Sequence, residues 1–404
     1  MWQLLHYFKR YQFKQKQLYL FSIIILLYTI VDGMVTFFLP LVAKEILHSM
    51  ALVGIILASS SVWDIVADVF LGFRDGEVEH KRLIRLAFFL VLILLGINAL
   101  PIEDNFLLGL VILLLSMILW GFHYEYMVWG TYDFIIDTTD KEDQATSFGV
   151  VEVFRSLGYA IGPIIAGTAI LVSFHLVLGS AAFLGILALL LFVFFSSFYQ
   201  ELPTRSQKKR RLNWRAELHL WKKIGSKILP LLIMTFSLGI FNGVVFSLTP
   251  ILVETKESFS LFGGFIVGAF WIPMILFTGW FGQLADRWGK KQFILLGSFL
   301  VIIALSVFGL VANPWVALTL ALVAGTGTSM FYPALNAQYS NYIEDHIDEE
   351  KEAIGEMGVS VNLGFISGAS LGGIFVSLTG GFWAAYFLVA LAFMVSGVVY
   401  YQRG

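Results

Sequence analysis

Twelve long apolar stretches run through this 404-residue sequence, and no soluble globule could bury so many. A helix needs ~20 apolar residues to cross ~30 Å of hydrocarbon. The stretches fall near residues 18–42, 50–72, 83–100, 106–133, 146–171, 174–198, 228–252, 259–283, 292–312, 314–341, 354–378 and 382–401. Backbone groups in lipid must be satisfied internally, which leaves helices or closed barrels. The runs are too long for barrel strands and lack period-two alternation, so helices are expected. Charged residues make up 13% of the chain and hydrophobic ones 58%, where a soluble domain carries ~25% charged residues. The prediction is an all-α membrane protein with twelve transmembrane helices in a lipid bilayer.

Orientation follows from Lys and Arg in the short loops. With the N-terminus inside, all but three of the 26 Lys and Arg residues are cytoplasmic. Lys44 and Lys256 fall outside, and Arg155 lies within a span. Both termini are therefore expected in the cytoplasm, with the chain in a bacterial inner membrane. Met1–Gln17 is basic and aromatic, and the apolar run after it is too long for a signal-peptide core, so no cleavable signal is expected. The net charge of −2 gives no footprint for nucleic acid. Zero cysteines exclude disulfides and thiolate metal sites.

The longest polar stretch, Tyr199–Lys227, contains Gln207-Lys208-Lys209-Arg210-Arg211 and separates a bundle at 1–198 from one at 228–404, six spans each. It reads as a solvated linker near anionic headgroups, or as a site for a regulatory partner. The halves repeat. At a shift of 206 residues, Gly149, Val153, Leu157, Gly158, Gly162 and Gly167 fall on Gly355, Val359, Leu363, Gly364, Gly368 and Gly373. Related halves around a midplane site are a recurrent transporter plan.

The sharpest motif follows span eight: Gly282-Gln-Leu-Ala-Asp286-Arg287-Trp-Gly289-Lys290-Lys291. Gly282 is expected to allow close helix packing and Gly289 a tight turn. Asp286 is placed to accept hydrogen bonds from a facing helix N-terminus. Arg287, Lys290 and Lys291 belong in the headgroup region. The string resembles the loop signature of the major facilitator superfamily. That resemblance covers the whole chain and implies two pseudo-symmetric six-helix bundles around a central cavity, acting as a monomer. The first-half copy, Gly72 to Arg82, is degraded. Arg74, Lys81 and Arg82 are expected to meet the acidic stretch Asp345–Glu352 as a cytoplasmic gate.

Span five carries Gly158-x-x-x-Gly162-Pro163-x-x-x-Gly167. Small residues at this spacing let backbones touch, and the proline bends the helix. The string is similar to a motif of drug–proton antiporters in that superfamily, although glycine packing alone produces similar strings. In span two, Asp64 and Asp68 are four apart and share a helical face. Both cannot ionise cheaply, so one must hold a proton, bind a cation or meet a basic group. Trp63-Asp64-x-x-x-Asp68-x-x-x-Gly72, with Trp120-Gly121-x-x-Tyr124, also resembles the glycoside–cation symporters of the superfamily. Those have a further acid near Val128, where this chain instead has His123 and Glu125.

Nearly all intramembrane charge sits in the first half. Asp32 is placed in the cavity, while Asp64, Asp68, His123, Glu125, Glu152 and Arg155 are candidates for ion coupling. Arg155 is one turn from Glu152 and can neutralise an acid. The second half offers Asn242, Tyr332 and Asn336 to a substrate, and Gln338 nearby. Trp271, Trp280, Trp315 and Trp383 read as interface anchors. There is no Walker-type phosphate loop, no metal-spaced histidine pair and no catalytic constellation. No cofactor is expected beyond a coupling proton, or sodium. The leading expectation is proton-coupled export of a small amphipathic molecule. The alternative is proton- or sodium-coupled symport of a glycoside-like solute.

Overall fold

The computed structural model describes residues 16–72, 80–101, 105–139, 144–197, 214–259, 261–346 and 350–403. Described residues in the first half form α1 (Lys16–Leu47), α2 (Met50–Gly72), α3 (His80–Asn98), α4 (Phe106–Thr138), α5 (Gln144–Ile170) and α6 (Phe174–Ser196). The second half forms α7 (Trp214–Thr255), α8 (Gly263–Ala269), α9 (Ile272–Trp288), α10 (Lys290–Phe308), α11 (Pro314–Asp345), α12 (Glu350–Thr379) and α13 (Trp383–Arg403), with a 3-10 turn at Glu257–Phe259. Among the described residues, eleven stretches are long and apolar enough to cross a membrane, with α8 and α9 counted together as Gly263–Trp288. The 19-residue α3 is not one of them, because Lys81, Arg82 and Arg85 crowd its first two turns. The chain is an integral membrane protein.

Two elements differ from expectation. The stretch assigned to a linker up to Lys227 is helical from Trp214 onward and runs directly into the seventh span, with Pro230 and Pro250 inside the helix. Span eight is broken. Phe270 and Trp271 lie between α8 and α9, and Pro273 sits in the first turn of α9. A proline has no N–H to continue a helical ladder, so the span restarts there.

Packing reproduces the internal repeat. In the first half α1 packs on α5, and in the second α7 packs on α12. A Cβ at Gly162 would strike Ile30 and Gly33 of α1, and one at Gly368 would strike Ile240 of α7. Ile30 and Ile240 are related by a shift of 210 residues. The same symmetry joins the halves. Gly167 of α5 meets Gly264 of α8, and Gly373 of α12 meets Gly54 of α2. Gly54 and Gly264 are again 210 apart. Both seams lie at the end of the molecule where α1 passes to α2. There Ala51 N donates to Ser377 Oγ at 2.8 Å, and Lys44 Nζ to Thr255 Oγ1 at 3.1 Å. The span-five glycines thus do two jobs. Gly158 and Gly162 seat α5 on α1, where Gly158 presses on Thr29 and Ile30, and Gly167 seats it on the other half.

The signature loop behaves differently from its sequence reading. Gly289 adopts φ +106°, which the tight turn requires, and it ends α9. At Gly282, however, a Cβ would find only the Pro333 Cβ at 3.7 Å, so close packing does not demand glycine. Asp286 is exposed and its recorded partner is Lys290, at 3.8 Å, rather than a facing helix or the Glu152–Arg155 pair. Arg287 is exposed. Lys290 ties the loop to α11 through the Ala337 carbonyl at 3.2 Å and Asn341 at 2.8 Å. Lys291 reaches the Tyr401 carbonyl at 3.0 Å. The proposed gate falls largely outside the described residues, since Arg74 and the acidic side chains of Asp345–Glu352 are not among them.

Candidate functional site

A cavity of about 220 Å³ lies between the halves. The first half contributes Asp32 and Thr36 (α1), Ser60, Ser61 and Asp64 (α2), Trp120 and Tyr124 (α4), and Glu152, Arg155 and Tyr159 (α5). The second-half wall includes Leu238, Asn242 and Phe246 (α7), Phe270 and Trp271 at the break in span eight, Met274, Tyr332, and Val361 and Phe365 (α12). The repeat pairs these walls position by position. At the 210-residue shift Asp32 faces the counterpart Asn242, Thr36 has Phe246, Ser60 has Phe270, Ser61 has Trp271 and Asp64 has Met274. At the 206-residue shift Arg155 has Val361 and Tyr159 has Phe365. Equivalent positions thus line one cavity, polar or charged on one side and mostly apolar or aromatic on the other.

Asp32 is 1% exposed and held by donors from two helices. Trp120 Nε1 donates to Oδ1 at 3.1 Å, and the Tyr159 hydroxyl to Oδ2 at 2.7 Å. His123, fully buried, stands with Nε2 3.7 Å from Asp32 Oδ1. Its Nδ1 lies 2.6 Å from the Tyr28 hydroxyl, which also lies 3.1 Å from the His123 carbonyl. Tyr28 and His123 are thus bonded to each other, while His123 Nε2 stands near Asp32 without a hydrogen bond. His123 does not line the cavity; it backs Asp32.

A second cluster joins α2 to α4. Asp64 is buried and bonded to Ser61, with the Asp68 carboxyl as a neighbour. Glu125, 6% exposed, hydrogen-bonds Asp68 and lies in the electrostatic field of Asp64. Asp68 also accepts Trp129 Nε1 at 2.7 Å. Of these three acids Asp64 alone lines the cavity. Two carboxyls can share a hydrogen bond only if one carries the hydrogen. The carboxyl cluster reaches the cavity through Asp64. Arg155 pairs with Glu152 at 3.5 Å, as the one-turn spacing predicted. Asn242 and Tyr332 line the cavity, while Asn336 bonds Tyr332 and stands outside the lining.

Sequence reasoning missed the aromatic half of the site. Trp271 is not an interface anchor. It stacks on Phe246 with centroids 5.2 Å apart and lies 5.3 Å from Tyr159. Trp280, Trp315 and Trp383 are exposed, as anchors would be. The available signal was Pro273, which marks a break that turns Trp271 inward. Tyr159 lies one turn beyond Arg155, but its bond to Asp32 depends on the register of α5 against α1. Among the described residues no cluster of three or more His, Asp or Glu is arranged to hold a metal.

The sequence model of the Major Facilitator Superfamily matches residues 21–348 and again 263–403. The chain belongs to that family. A probable peptide/nitrate transporter of Arabidopsis thaliana is 31% identical over 124 residues, which is 30% of this chain and 25% of that protein. The chain thus matches about a quarter of that relative's length. Quinolone resistance protein NorA of Staphylococcus aureus is 27% identical across 81% of this chain and 82% of its own length. Multidrug resistance protein 2 of Bacillus subtilis is 28% identical over 27% of each. Among solved structures, nucleoside transporter NupG superposes with a TM-score of 0.74 over 96% of this chain and 99% of its own, at 14% identity. A peptide transporter POT gives 0.74 over 96% and 94%, at 12% identity. These likenesses establish the fold.

Proposed function

We propose that the chain is a secondary transporter that exports a small amphipathic cation in exchange for protons, by alternating access. The observation that carries this reading is the two-faced cavity. Its polar wall presents Asp32, Asp64 and Glu152 against a single Arg155, which favours a cation. Its other wall offers aromatic faces, which take both apolar bodies and cations. The names of the S. aureus and B. subtilis relatives, for quinolone and multidrug resistance, support export of such a compound.

In this reading α3 is the twelfth crossing, and residues 1–198 and 228–404 form two six-helix bundles. In the same reading both termini lie in the cytoplasm of a bacterial cell, which the basic loops support, and the glycine seams then face outward and the cavity opens inward. The protein works as a monomer in lipid, with the proton as its coupling ion and no cofactor. Asp32 receives the cation. Asp64, Asp68 and Glu125 hold the proton, which leaves through Asp64 when a cation enters. Because Asp64 borders the same cavity as Asp32, cation and proton compete, and competition is what makes exchange.

Symport of a glycoside-like solute with a proton or sodium is the second reading, favoured by Asp64 and Asp68 on one face of α2. Proteoliposome flux of tetraphenylphosphonium under imposed gradients separates the two. Export requires uptake into inside-acid vesicles by inverted protein, at a rate set by the pH gradient. Flux that is indifferent to pH and sodium gradients would remove both.

A further inference from the structure

We infer that Tyr159 senses the occupant of Asp32 and transmits it to the outer seam. The inference rests on the alternating-access reading above. Tyr159 has two attachments. Its hydroxyl donates to Asp32 Oδ2 at 2.7 Å, within the first half. Its ring lies 5.3 Å from Trp271 and 5.8 Å from Phe246, both in the second half. The other groups at Asp32, Trp120 and His123, belong to α4 of the first half.

Trp271 sits at the break in span eight, where Pro273 prevents a continuous ladder. Broken spans at transport sites are natural hinges. Beyond the break, α8 carries Gly264 and Gly268, which press on Pro163, Ile164 and Ala160 of α5. The short segment past the hinge is therefore one of the two outer seams itself.

The linkage follows. A bond to an ionised carboxylate is about twice as strong as a neutral one. With Asp32 free, the phenol is held, its ring stays under the Trp271–Phe246 stack, and the seam stays shut. A cation docked on Asp32 competes for the carboxylate. The phenol loosens, the stack loses a member, and α8 is released at its hinge. Tyr159 is a positioning residue here, since it need not touch the cation.

The chain has no cysteine, so an introduced pair reports cleanly. Ala51→Cys with Ser377→Cys places thiols at a contact of the outer end, where Ala51 N now meets Ser377 Oγ at 2.8 Å. Disulfide yield under mild oxidation in detergent measures the closed seam. Saturating tetraphenylphosphonium should lower that yield several-fold in the otherwise unchanged chain. Tyr159→Phe should start from the lowered yield with no cation present and respond no further. Phe246→Leu removes a ring partner but leaves the Asp32 bond, and it should lose the response as well. A full cation response in either variant, or no response in the parent at saturation, overturns the inference. If the parent responds but transports nothing in vesicles, the export reading fails and the sensor stands. If transport is normal and Tyr159→Phe responds like the parent, the sensor alone fails.

Discussion

Gly264→Ala tests the outer seam with a predictable sign. A Cβ at that position would lie 2.9 Å from Ile164 Cα and from the Pro163 carbonyl carbon, and nearer still to the Pro163 oxygen. Ordinary contact needs ~3.5 Å or more, and the oxygen is the nearest obstacle, so α5 and α8 must part by roughly one ångström. The obstacle is backbone on a packed helix, which cannot swing aside as a side chain can. Overpacking of this kind costs about 1–3 kcal/mol. In the outward-open state the seam is apart and the methyl meets no such wall. The cost therefore falls on the closed state alone and shifts the equilibrium by roughly 5–150-fold toward opening. The assay is disulfide yield between Ala51→Cys and Ser377→Cys, which should fall accordingly. Gly149→Ala is the matched control, because a Cβ there meets nothing within 4 Å. It should leave the yield unchanged, with a gain in stability of about 0.5–1 kcal/mol from a better helix former. Equal yields for Gly264→Ala and Gly149→Ala would refute the assignment of this seam as a moving gate.

Three further outcomes are expected. Asp64→Asn and Glu125→Gln should each slow pH-driven tetraphenylphosphonium flux tenfold or more, equivalent to ~1.4 kcal/mol, with cation binding retained; normal flux in both would dismiss the carboxyl cluster as the proton store. Arg155→Ala removes the cavity's one cation and should tighten tetraphenylphosphonium binding by isothermal titration, by no more than ~1 kcal/mol because the Glu152 partner is 37% exposed; weaker binding would contradict the charge argument. Gly289→Ala forces a side chain into φ +106° and should cost about 1–3 kcal/mol, seen as a lower unfolding temperature in detergent, without altering cation affinity; an unchanged transition would show the turn relaxes freely.

Much of the fold was legible because bilayer physics is written in composition. Span length, basic loops and the 206-residue repeat all predicted a helical membrane protein of two related halves, and the repeat reappears as paired seams. Charge was legible for the same reason. An acid in an apolar run is costly, so Asp32, Asp64, Glu125 and Glu152 stood out, and three of them line the cavity. Aromatic residues were not legible. In a chain where 16% of residues are Phe, Trp or Tyr, Trp271 and Phe246 look like any others. Their role comes from a broken helix and from helix register, neither of which local pattern encodes. Asp286 and Gly282 erred the other way. Their motif is intact, yet the recorded contacts of the loop run to α11, α13 and the adjoining turn.

The central claim is that cation and proton compete for one cavity. It is tested most directly with purified protein in weakly buffered detergent near neutral pH. Adding saturating tetraphenylphosphonium should acidify the solution by about one proton per chain, as linkage between two exclusive ligands requires. Asp64→Asn should bind the cation and release far less. Saturable binding with no proton release from the unaltered chain would contradict the account.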